Sequence, residues 1–184
     1  MGYLALAVKS ERRIKPQITG LPYSQNLALK GGDDRENETL FDRALSKVSL
    51  DGAVPNAAED RIAMVRILLE RDLPGDAEKA LSITDEMLLR GPITAELLDQ
   101  KGAALYQLRR YEDAVVAFTL AIEKTPKMLA AYFNRSLAEE QLKRLDDARR
   151  DMEYYMSAEQ DPKWKYEASW RLTHMKHDVD DEKR

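Results

Sequence analysis

Three alanines, Ala80, Ala114 and Ala148, stand 34 residues apart, and the positions around them keep the same interval. Thr84, Phe118 and Met152 follow them by four, and Met87, Ala121 and Tyr155 by seven. Leu68, Gly102 and Ser136 precede them by twelve, and Met64, Leu98 and Tyr132 by sixteen. Pro92 and Pro126 share the spacing. Self-similarity of this length marks one supersecondary unit used repeatedly, because a unit so short buries its apolar face only against a neighbour. The units run 61–94, 95–128 and 129–162, and together they commit 102 of the 184 residues to a stacked array.

Inside the middle unit the apolar residues recur at steps of three and four, which predicts one helix over about 94–108 and a second over about 111–124. Gly102 and Ala114 are small, so the two helices of the pair cross closely there. Leu98 and Phe118 fill the space beside the crossing, and Ala121 leaves room for the first helix of the next unit. Pro126 ends the second helix. The fold class is therefore all-α.

These residues resemble the tetratricopeptide repeat (TPR). Leu98, Gly102, Tyr111, Ala114, Phe118, Ala121 and Pro126 match its pattern closely in the middle unit. The third unit keeps Tyr132, Ser136, Leu145 and Ala148, but has Tyr155 where the family prefers alanine and its proline displaced to Pro162. The first is degenerate: it keeps Met64, Ala80 and Pro92 but has Leu68 where a small residue belongs, so it is expected to splay slightly. The resemblance implies an α-α superhelix, a right-handed solenoid of about three repeats with a C-terminal capping helix. It implies a concave face lined by the first helix of each unit, with Val65 and Leu69, then Asp99, Tyr106 and Gln107, then Phe133, Asn134, Leu137 and Gln141 as partner-binding residues. Such a mixture of apolar anchors and polar groups suits an extended peptide or a helix laid in a groove. The family's clamp for chaperone C-terminal tails is not expected, because the corresponding positions hold Val65, Leu69, Gln100, Ala130 and Asn134, of which only Asn134 matches. The chain is more similar to bacterial members than to eukaryotic co-chaperones. The stretch "RIKPQITGLPYSQ" is loosely similar to the segment after the membrane anchor in some larger bacterial ones.

The flanks read differently. Residues 1–35, with Pro16, Gly20, Pro22, Gly31 and Gly32, have no helical period and are expected to form an extended arm. Residues 36–60 supply a helical cap or linker, on the face Leu40, Phe41, Ala44, Leu45 and Val48. After Pro162, the residues Trp164, Ala168, Leu172 and Met175 share one face of a capping helix over 163–177, where Trp164 or Tyr166 would close the groove. The charged tail 178–184 is expected to fray.

No residue pattern points to catalysis. The chain has no cysteine, which excludes thiol nucleophiles and zinc–thiolate sites. Its two histidines, His174 and His177, sit beside Asp178, Asp180 and Asp181 and read as a solvated helix end rather than a metal site. "KGGDD" lacks the Lys-Ser or Lys-Thr of a phosphate loop. The net charge of −4 gives no field for nucleic acid, and Lys9, Arg12, Arg13 and Lys15 read as a surface patch. No apolar run nears the roughly 18 residues that span a bilayer. The short "GYLALAV" reads as the start of a strand or helix, or else as the remnant of an anchor. The expectation is a non-enzymatic scaffold without cofactor or metal. It binds another protein or peptide, not nucleic acid, does not insert in a membrane, and is monomeric with a dimer as the alternative. Two other readings stand beside it: a regulatory or sensor region cut from a larger, membrane-anchored bacterial enzyme, and a self-associating structural protein. The compartment, cytoplasmic or periplasmic, is left open.

Overall fold

The computed structural model describes Val54 and residues 58–182. The expected arm over 1–35 and nearly all of the cap or linker over 36–60 lie outside the described residues. Those described fold into seven helices and no strand: α1 (Ala58–Arg71), α2 (Asp76–Arg90), α3 (Ala95–Gln107), α4 (Tyr111–Lys124), α5 (Leu129–Gln141), α6 (Leu145–Ala158) and α7 (Pro162–Glu182).

Local chemistry sets the breaks. Thr94 caps α3 by accepting a hydrogen bond from the Leu97 amide at 3.2 Å. Gly75, Arg109 and Lys143, again 34 apart, take left-handed φ values of 89°, 59° and 59°. In the second and third units this residue turns the chain so that the next amide reaches back to the helix end: Arg110 N–H bonds the Leu105 carbonyl and Arg144 N–H the Glu139 carbonyl, both at 2.9 Å. The first unit differs because α1 stops sooner, at Arg71. Its longer loop is held by two bonds from the Arg71 guanidinium to the Asp76 carboxylate, at 2.8 and 2.6 Å.

Each unit is an antiparallel hairpin. Gly102 and Phe118 lie about equally far from the α3–α4 turn and touch. In α5–α6, Arg135 donates to Asp151 at 2.6 and 2.8 Å, while Phe133 meets Tyr155 at 5.0 Å between ring centroids. Two sets of recurrent positions are fully buried in all three units: Ala80, Ala114 and Ala148 have no exposure, and neither have Thr84, Phe118 and Met152. Neighbouring units join through Leu98, Ala121 and Ala131, and through Leu105, Phe118 and Ala138. The first helices also touch directly, as Gln107 of α3 donates to the Leu69 carbonyl of α1 at 2.7 Å and Asn134 of α5 to Asp99 of α3 at 3.0 Å. The latter pair is 35 residues apart, so the period of the sequence becomes the stacking interval in space. α7 closes the row with Trp164, Ala168 and Leu172 against Phe133, Leu137, Met152 and Tyr155. It does not end near 177, since helix continues through the acidic stretch to Glu182.

A Cβ added to Gly102 would lie 2.5 Å from the Phe118 ring, and that ring is fully buried. Gly102→Leu is therefore expected to cost roughly 1–3 kcal/mol by overpacking, read as a drop in the urea midpoint. The first unit shows the compensation: Leu68 and Thr84, both buried, stand where the second carries Gly102 and Phe118. Adding Phe118→Thr should recover most of the loss. A double variant as unstable as the sum of both singles would refute that pairing.

Candidate functional site

The row α1, α3, α5 is the surface to which the family resemblance assigns binding, and Val65, Asp99 and Phe133 hold the same helical position in the three units. Four of the nine expected residues are core. Val65 and Leu69 pack with Ala103 and Ala104, and Phe133 and Leu137 pack with Trp164, Ala168 and Leu172. This corrects the expectation of an open apolar lining. Where these positions carry large side chains, the first helix of the following unit closes over them and removes them from any partner's reach.

Asp99 and Asn134 are also buried, joined by their 3.0 Å hydrogen bond. The three remaining residues are reachable. Tyr106 and Gln107 are half-buried and Gln141 is exposed. The Tyr106 ring meets Tyr111 edge-on at 5.5 Å, and burial pushes its hydroxyl up to about 12, with Arg171 acting in the opposite direction. Gln107 spends its amide N–H on Leu69, and its Oε1 accepts nothing.

The residue that sequence reasoning undervalued is Gln100. It is fully buried on α3 beside Asp99, and neither its Oε1 nor its Nε2 has a hydrogen-bond partner. Asp99 Oδ2 is likewise unpartnered. An orphaned buried polar atom costs about 1–3 kcal/mol, and Ser136 Oγ and Glu139 Oε2 of α5 are idle in the same row. The signal was present in the sequence, because a glutamine on the packed face of an amphipathic helix breaks the apolar pattern.

Two carboxyls in this region are pushed up to about 7. Burial does this to Asp99 against the opposing bond from Asn134. It also does so to Glu139 of α5, where the neighbouring Asp151 adds to the shift and Arg135 offsets part of it. Arg135 ties three helices, reaching Asp151 of α6 and Thr119 of α4, the latter at 3.0 Å. Among the described residues no three His, Cys, Asp or Glu side chains gather to hold a metal ion, and no helix is long and apolar enough to cross a membrane. No family model matches the chain, and no curated protein is significantly similar to it.

Proposed function

We propose that the chain is a non-catalytic interaction module of tetratricopeptide type, a right-handed helical solenoid that holds an extended peptide or helix of a partner protein against the row α1–α3–α5. The observation that carries this reading is the accessible margin of that row, where Tyr106 and Gln107 are half-buried and Gln141 is exposed. An aromatic ring beside two primary amides offers a peptide an apolar contact together with hydrogen-bond donors and acceptors.

Tyr106→Ala/Gln141→Ala tests this, because both side chains are reachable from solvent. The double variant should keep its far-UV helicity and fail to retain, in a pull-down from source-organism lysate, proteins that wild type captures. Equal capture by both baits would refute the assignment of the site to this row.

A further inference from the structure

α7 occupies the place of a fourth first helix, and its packing follows the 34-residue register. Ala168 and Leu172, the counterparts of Asn134 and Ala138, are buried. The counterparts of Tyr132, Ser136 and Glu139 are Tyr166, Trp170 and Thr173. In α5 that face is covered by the unit's own second helix, and Ser136 and Glu139 are buried. In α7 it is open, with Tyr166 at 66% and Trp170 at 42% exposure and Thr173 exposed. Two large aromatics one turn apart on an open face that the array elsewhere covers with a helix ask for a helix.

We infer that this face pairs with the same face of a second copy, the two α7 helices running antiparallel about a two-fold axis. Charge selects that occupant. The first turn of α7 carries exposed Lys163 and Lys165, and its last turns hold Asp178, Asp180, Asp181 and Glu182. Antiparallel self-pairing of a helix spanning 162–182 centres near 172, so each basic turn meets the other copy's acidic turns. It also brings Trp170 to the other copy's His174, the ring it already stacks on within its own helix at 3.8 Å. Trp170 argues against a close crossing of the intra-unit kind, which uses glycine or serine at this position in the second and third units. The inference rests on the packing register and not on the peptide-binding reading, so the two fail independently.

The test uses the full chain. Sedimentation velocity over a concentration series should show wild type converting from monomer to dimer, more weakly as salt rises. Tyr166→Glu/Trp170→Glu and Lys163→Glu/Lys165→Glu should each weaken the dimer at least tenfold with unchanged helicity. The chain lacks cysteine, so a single introduced thiol reports without background. Thr173→Cys, beside the two-fold, should oxidise to a covalent dimer far faster than Glu112→Cys on α4. A monomer at every concentration, a dimer untouched by the α7 substitutions, or equal cross-linking of the two cysteine variants would each overturn the proposal.

Discussion

Phe133→Ala is expected to lower stability by about 3–5 kcal/mol, seen as a large fall in the urea midpoint with the native signal otherwise two-state. The ring has no exposure. It lies 5.0 Å from Tyr155 and 5.3 Å, edge-on, from Trp164, and it packs on Leu137 and Met152. It is the joint between the last hairpin and α7, so truncation opens a cavity and loosens the helix that carries Trp164. The emission of Trp164 in the folded variant should lie to the red of its wild-type position. A ring lining an open groove would behave otherwise, since its loss would affect binding and leave the midpoint nearly unchanged. A cost below about 1 kcal/mol would put Phe133 back on the surface.

Asp99→Asn is expected to stabilise the chain at pH 8 and to change little near pH 4. Burial holds the Asp99 carboxyl up at about 7 in the folded chain, whereas the unfolded chain releases that proton near the ordinary value of 3.8. Between those values the native state binds the extra proton, so stability falls as pH rises from about 4 to about 7 and is level on either side. At about 1.36 kcal/mol per pKa unit the ceiling on the loss is roughly 4 kcal/mol. Asparagine keeps the acceptor for Asn134 and cannot ionise, so the variant removes this part of the slope. Glu139, raised to about 7 chiefly by burial, leaves a residual slope of the same sign. Melting temperatures across pH 4–8 decide it: parallel curves for the two proteins would mean that Asp99 is ionised and satisfied at neutral pH.

The packing was legible in the sequence because it depends on volume at fixed intervals. Gly102 beside Phe118, alanine at 80, 114 and 148, and the helices of the middle unit follow from steric arguments that need no coordinates. Accessibility was not legible. Periodicity says which way Val65, Leu69, Phe133 and Leu137 point, but not that the next first helix, or Trp164, closes over them. The same limit hid the open face of α7, where Tyr166 and Trp170 read as ordinary helix residues until their exposure, with no helix over them among the described residues, made them exceptional. Helix through Asp178–Glu182 ran against the charge of that stretch, which suggested fraying. Gln100 stood in plain view, yet only burial turned it from a mismatched clamp position into an idle amide.

The most direct test of the central claim is the NMR response of the Tyr106 ring and of the nitrogen-15 side-chain amide of Gln141 as a peptide from a captured partner is added. Binding along the accessible margin of the inner row predicts shifts in both signals and slowed exchange of the Gln141 amide protons, with Gln107 responding beside them. Silence at these residues, with shifts confined to α2, α4 and α6, would contradict the claim.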